Sequence, residues 1–374
     1  MKGLDSKNKK IVWRIGSILI LLLLVASVYF LNQDNKTSTN LEVTSIVKPK
    51  PSIKEMKLVE PTSPEWLFTN GPWKQIEDPE IGTVMKGWMM SNDTMHFGRR
   101  VKIETDSPFA VLKQRGIGGT LTVFVDGEPA VEKDLDSNGK LSEIQLYENK
   151  TGWHEIEIVH SSFSELDGLL IEKDASVRKP ADPKKKLVVI GHSYTEGYGS
   201  SNKALKSFAG LIGDKLNVES INQGIGRTDL NVSYPASRKN SGLERVKTDV
   251  IDLKPEFVLM AYGYNAMTIE IDQYQSNYLT FLNTIHEALP ETKVFASGII
   301  SVAHYSDEYL QPRNQAIKKA CESTPNCTYI DLENKWNDTN YTKYISPDGV
   351  HPNDEGHAFL AEEYAKVIKT AISN

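Results

Sequence analysis

Apolar and polar positions along the chain follow two rhythms, and the change between them falls near Pro180. Upstream the period is two. Residues 100–104 (Arg-Val-Lys-Ile-Glu), 121–125 (Leu-Thr-Val-Phe-Val) and 154–159 (His-Glu-Ile-Glu-Ile-Val) each alternate as half-buried strands do. Asp126-Gly127 is a hairpin turn pair, Thr151-Gly152 precedes the third run, and 169–171 closes the set. Short strands separated by turn residues predict a β-sandwich or jelly-roll-like domain over 58–176. Its aromatic residues Trp66, Trp73, Trp88, Phe97 and Phe109 either line a sugar-binding face or fill the sandwich core.

From residue 186 onward, short apolar runs alternate with stretches of helical period. Strands are predicted at 187–190, 218–221, 257–261, 293–300 and 328–332, with helices at 203–216, 274–289, 311–322 and 355–372. The last carries Phe359, Leu360, Tyr364, Val367, Ile368 and Ala371 on one side. Strands regularly spaced by helices mean an α/β fold, a parallel sheet with helices on both faces, over 186–374.

The N-terminus sets the compartment. Lys2, Lys7, Lys9, Lys10 and Arg14 flank a charge-free Leu/Ile/Val run over 15–31. That length is at the short end for a membrane span, and the basic flank predicts a cytoplasmic start with everything later outside. The expectation is a single-pass cell-membrane protein, 1–31 being flank and anchor; a cleaved export signal would make it secreted. Residues 32–57, rich in Asn, Thr, Ser, Lys and Pro, read as a linker. The 374 residues are 39% hydrophobic and 25% charged, enough apolar content for a substantial core. A net charge of −6 without a basic stripe beyond the N-terminus argues against nucleic acid as a partner. The two cysteines, Cys321 and Cys327, either pair locally in an exported protein or remain buried thiols; they are not accompanied by a histidine pair, so no metal is assigned.

Four features fall at strand carboxyl ends or in the last loop, where open α/β sheets keep their sites: Ser193, the Gly224/Gly226 turn, Asn265 and the Asp348/His351 pair. Acyl transfer needs such a set. Ser193 would attack, His351 would take its proton, and Asp348 would orient the imidazole. The Ser193 N–H, the Gly226 N–H and the Asn265 amide would hold the oxyanion. Each feature taken singly also has a purely structural reading: a capping Ser, a left-handed Asn, glycines placed for backbone geometry, an Asp N-cap before a helix. His357 reads as a helix residue rather than a base.

In order and placement, these residues resemble the SGNH, or GDSL-type, hydrolase family over about 186–374. The first block resembles Gly191-His-Ser193, the Asn block Gly263-Tyr-Asn265, and the last Asp348-Gly-Val-His351. His192 stands where the family has Asp, and Ala266 where Asp is common. A gap-free match puts Arg227 at the family's glycine; a one-residue shift puts Gly226 there, and Gly226 is chosen. The resemblance implies a flavodoxin-like sheet, a Ser193–His351–Asp348 triad and no cofactor. A β-rich domain ahead of it is similar to the two-domain acetyl esterases of carbohydrate esterase family 2. That likeness implies a serine esterase removing short acyl groups, acetyl in that family, from extracellular or cell-wall carbohydrate. The alternatives are an O-acetyltransferase acting on a wall polysaccharide, and a tethered glycan-binding protein without activity.

Overall fold

The computed structural model describes residues 55–87, 97–116, 118–136, 139–161, 164–181 and 184–372. The candidate membrane segment 15–31, nearly all of the linker 32–57 and Trp88 lie outside them. Among the described residues no helix is long and apolar enough to cross a membrane. The described residues, from 55 onward, form one compact unit.

Its first part is all β: β1 (Met56–Val59), β2 (Leu67–Thr69), β3 (Lys74–Asp78), β4 (Gly82–Lys86), β5 (Arg99–Thr105), β6 (Ala110–Gly116), β7 (Thr120–Val125), β8 (Glu128–Asp134), β9 (Leu141–Tyr147), β10 (His154–His160), β11 (Ser164–Glu172) and β12 (Val177–Arg178). These form two six-stranded antiparallel sheets. One runs β3-β4-β11-β6-β9 with β1 on β11; the other runs β12-β5-β10-β7-β8 with β2 on β5. The period of two works as expected. Val101 and Ile103, Leu121 and Val123, and Ile156 and Ile158 point inward to meet Leu112, Ile144, Leu166 and Leu169 of the other sheet in one core. Asp126 (φ +57°) and Gly127 (φ +81°) make the β7–β8 turn with both residues left-handed, the geometry that two-residue hairpins require. Trp66, Phe97 and Phe109 are buried, and Trp73 packs on Phe68 and His160. Trp66 and Trp73 therefore belong to the sandwich core, whereas Phe97 packs against Lys203 of the second part, its ring centroid 4.6 Å from Nζ. β1 begins inside the predicted linker, because Met56 pairs with Glu172.

The second part holds β13 (Lys186–Gly191), α1 (Ser193–Glu196), α2 (Phe208–Leu216), β14 (Glu219–Gly224), α3 (Gly242–Asp249), β15 (Phe257–Ala261), α4 (Ile271–Ala288), β16 (Lys293–Ser297), α5 (Asp307–Glu322), β17 (Cys327–Ile330), α6 (Tyr341–Tyr344) and α7 (Asp354–Ile372). The sheet is wholly parallel, in the order β14-β13-β15-β16-β17. Both of its faces are covered. Val188 and Ile190 face the layer with Phe281, Ile285 and Ile317 of α4 and α5. Leu187 and Val189 face Phe208, Ile212, Leu360 and Ile368 of α2 and α7. Cys321 and Cys327 form a disulfide that ties the end of α5 to the start of β17.

The predicted first helix is shorter than expected. It starts at Phe208 because Ser207 caps it, its hydroxyl accepting from the Gly210 N–H at 3.1 Å. The segment before it turns on Asn202, whose side chain accepts from the N–H groups of Ala204 and Leu205. The two parts meet through polar contacts. Asn70 donates to Glu219 and to the Ser220 carbonyl, and Arg100 bridges Glu157 at 3.0 Å and Asp214 at 3.2 Å.

Candidate active site

β13 is buried from Leu187 to Gly191, and the chain must leave it sharply to place a side chain above the sheet. Gly191 permits this: a Cβ there would lie 2.2 Å from Thr195 Oγ1 and 2.5 Å from the Ala261 carbonyl oxygen. His192 then caps the single turn of α1, its Nδ1 accepting from the Tyr194 N–H at 3.4 Å. Burial, with the nearby His351 adding to it, pushes the His192 ring down to about 3, so it is a neutral acceptor. That is how a histidine serves at the position where the resemblance expects Asp.

Ser193, the first residue of α1, is reached from the far end of the chain. His351 Nε2 lies 3.0 Å from Ser193 Oγ, and His351 Nδ1 lies 2.6 Å from Asp348 Oδ2. A carboxylate only accepts, so the proton sits on Nδ1 and the Nε2 lone pair faces the hydroxyl. Burial alone would raise the Asp348 carboxyl. The N–H groups of His351 and Val350, the His351 ring and the Ser346 hydroxyl more than offset this and hold it well below the usual carboxylate range. The His351 ring packs between Tyr194 at 5.7 Å and Tyr198 at 5.4 Å. Gly199, at φ +85°, lets the loop after α1 close on this histidine; a Cβ there would sit 2.1 Å from the Pro352 carbonyl oxygen. His357 lies in α7, fully buried. Its Nδ1 accepts from the Phe208 N–H and its Nε2 donates to the Tyr198 carbonyl at 3.0 Å, which fixes the same loop.

The oxyanion groups require a correction. The Gly226 N–H donates to Glu196 Oε2 at 2.8 Å, so it is engaged within the protein. Arg227, the next residue, is left-handed at φ +65°, a conformation that glycine adopts without strain, and its N–H has no acceptor among the described residues. The ungapped match to the family's glycine is therefore the better one, and Arg227 replaces Gly226 as the candidate donor. Gly224 lies in β14, paired with Gly191. The Ser193 N–H opens a helical turn and has no intrahelical acceptor. One Asn265 amide hydrogen goes to the Thr228 carbonyl at 3.0 Å; the amide carries a second.

Two carboxylates that the sequence does not single out hold these loops. Glu196 is nearly buried, binding Gly226 with one oxygen and Lys203 Nζ, at 2.9 Å, with the other. Asp229 is wholly buried and accepts from the N–H groups of Leu230 (2.9 Å), Gly263 (3.0 Å) and Asn265 (3.1 Å). Burial pushes its carboxyl up to about 6 despite those bonds. Nothing in local spacing distinguishes these two from solvated acids; only the tertiary fold buries them.

Ser193, Arg227, Tyr264, Asn265 and His351 line one cleft of about 440 Å³. A hydroxyl bonded to a neutral imidazole, itself oriented by a carboxylate and set beside N–H donors, can attack a carbonyl carbon and stabilise the resulting oxyanion. Among the described residues no cluster of ligating side chains could hold a metal ion.

Comparison with known proteins agrees with the frame. Residues 189–359 match the GDSL-like Lipase/Acylhydrolase family. No curated protein matches the chain. Among solved structures, a family two carbohydrate esterase from Cellvibrio japonicus is 15% identical with a TM-score of 0.67, covering 84% of this chain and 97% of that one. A family two carbohydrate esterase from Clostridium thermocellum, in complex with cellohexaose, is 16% identical with a TM-score of 0.66, covering 82% and 99%. The salicylyl-acyltransferase SsfX3 from a tetracycline biosynthetic pathway is 16% identical with a TM-score of 0.64, covering 83% and 96%. The resemblance read from the three sequence blocks thus holds: residues 189–359 match the GDSL-like lipase/acylhydrolase family, on a fold shared with family two carbohydrate esterases.

Proposed function

We propose that the protein is a serine esterase that removes short acyl groups, acetyl foremost, from carbohydrate. The observation that carries this reading is the hydrogen-bonded line from Ser193 Oγ to His351 Nε2 and from His351 Nδ1 to Asp348, set in an open cleft. Ser193 Oγ attacks the ester carbonyl while His351 Nε2 takes its proton. Asp348 stabilises the imidazolium, and the N–H groups of Ser193 and Arg227 with the Asn265 amide receive the oxyanion. Collapse breaks the ester bond, and His351 gives its proton to the departing sugar oxygen. Water, deprotonated by His351, then attacks the acyl-serine, and the carboxylic acid leaves with Ser193 restored. Carbohydrate as substrate is supported by the fold shared with proteins named as carbohydrate esterases. The basic flank and charge-free run at 15–31 support display of the site outside the cell membrane.

The test is hydrolysis of an aryl acetate by the full chain beside Ser193→Ala. Turnover should disappear in the variant; retained turnover overturns the triad. The fold shared with a protein named as an acyltransferase gives transfer a place in the same experiment. An added sugar acceptor that gains acetyl faster than free acetate forms would make the enzyme a transferase using the same acyl-serine.

A further inference from the structure

The β-sandwich takes no part in the acyl-transfer steps above, yet two of its loops reach the segment that follows the serine turn. Ser161, just after β10, donates from its hydroxyl to Asn202 Oδ1 at 3.2 Å. The same oxygen accepts from the Ala204 and Leu205 N–H groups. Gly98, just before β5, lies so near this segment that a Cβ on it would sit 3.6 Å from the Ala204 carbonyl oxygen. Between these contacts is Lys203.

The Lys203 ammonium has three partners. Its Nζ lies 4.6 Å from the centroid of the Phe97 ring and 3.5 Å from that of Tyr198, and it pairs with Glu196 Oε1 at 2.9 Å. A ring quadrupole attracts a cation over its face, and more strongly as water is removed. Phe97 and Glu196 are both nearly buried, so the ion pair is shielded on those sides. Two of the partners belong to the site. Glu196 Oε2 accepts the Gly226 N–H at 2.8 Å, one residue before Arg227, and the Tyr198 ring lies 5.4 Å from that of His351. A Cβ on Gly226 would meet Glu196 Oε2 at 3.0 Å and Tyr198 Cε2 at 3.5 Å, so both side chains lie against that turn. The third partner, Phe97, comes from the sandwich. A lysine side chain is long and flexible, and an ion pair left in water is worth little. The ring of Phe97 is what confines this one.

We propose that the sandwich supplies a positioning residue to the catalytic half: Phe97 presses the Lys203 ammonium onto Tyr198 and Glu196, and through Glu196 it holds the turn that presents the Arg227 N–H. The sandwich is then a working part of the oxyanion apparatus. The effect on turnover rests on the esterase reading; the hold on the Gly226 turn does not.

Kinetics of the full chain on an aryl acetate test this role. Phe97→Ala should lower kcat by about tenfold, the worth of one desolvated cation–π contact. KM should change little, because the loss falls on a donor that acts on the oxyanion. Phe97→Tyr keeps the ring face and should keep most of kcat. Lys203→Met should lower kcat at least as far. Phe97→Ala added to Lys203→Met should cost nothing further, since the ring then has no cation to hold. Ile144→Ala, in the core on the other sheet of the sandwich, controls for lost stability: its Tm should drop with kcat unchanged. Wild-type kcat in Phe97→Ala, an equal fall in Ile144→Ala, or fully additive losses in the double variant overturns the proposal. Hydrogen exchange at the Gly226 amide, followed in wild type and Phe97→Ala, separates the two readings. Faster exchange in the variant with no ester turnover in either protein would leave the brace standing and remove the esterase. Unchanged exchange removes the brace, whether or not the ester turns over.

Discussion

Glu196 Oε2 accepts the Gly226 N–H at 2.8 Å while its other oxygen pairs with Lys203. A nearly buried carboxylate from the serine turn thereby holds the turn after β14, and Arg227 is the next residue along. Glu196 is a positioning residue in this arrangement. Glu196→Ala should lower kcat on an aryl acetate by about 100-fold, approaching the loss of one oxyanion donor, with KM little changed. Glu196→Gln keeps an oxygen for Gly226 and should recover much of that loss. Full kcat in the alanine variant would show that the turn stands without this bond.

In the proposed triad Asp348 acts through His351, whose Nδ1 lies 2.6 Å from Asp348 Oδ2. In Asp348→Asn the amide can present N–H to the ring, favouring the tautomer whose Nε2 carries the proton and no longer accepts from Ser193. Turnover should fall by about 10⁴-fold. The same carboxylate has a stability signature. Its folded pKa is depressed, so its contribution is present above the usual carboxylate range, about 3.9, and is lost as pH falls through the lower folded value. The Tm advantage of wild type over Asp348→Asn should therefore narrow as pH falls below about 4. A difference that stays constant with pH would contradict the depressed carboxyl.

Asp229 has the opposite sign. Its folded carboxyl titrates at about 6 against about 3.9 when unfolded. The folded protein then binds this proton more tightly, so the contribution is complete below about pH 4 and is lost as pH rises through about 6, on the order of 2–3 kcal/mol in all. The amide introduced by Asp229→Asn does not titrate. The stability of wild type relative to this variant should fall between about pH 4 and about pH 7, whatever the offset between them. Parallel melting curves across that range would show that burial does not raise this carboxyl.

Legibility in the sequence follows how local each signal is. β5, β7 and β10 alternate strictly because one face meets the opposite sheet, and the pattern shows it. β8 escapes a pattern reading because it is exposed along most of its length and has no apolar rhythm. α3 escapes it because its buried face includes Arg245 and Asp249, paired at 2.7 Å, in place of apolar residues. In the site, Ser193 and Asn265 are readable because each sits in the turn that follows a buried strand, and Asp348 and His351 because they share the turn-rich loop before the last helix. Glu196 and Asp229 are not, since an acid in a turn looks solvated until the fold encloses it. The choice between Gly226 and Arg227 needs the left-handed φ and the acceptor already occupying the glycine.

By itself the sequence determined the two rhythms, hence a β-sandwich followed by a parallel α/β sheet, and the order of the three blocks at that sheet's carboxyl edge. Periodicity and turn chemistry are properties of neighbours along the chain. Only the tertiary structure decided that His351 Nε2 comes to 3.0 Å from Ser193 Oγ, that Cys321 and Cys327 pair, and that Trp66 and Trp73 belong to the sandwich core. It also decided which carboxylates are buried. Those facts depend on distances between segments remote in sequence and on the loss of water around them, which no local pattern encodes.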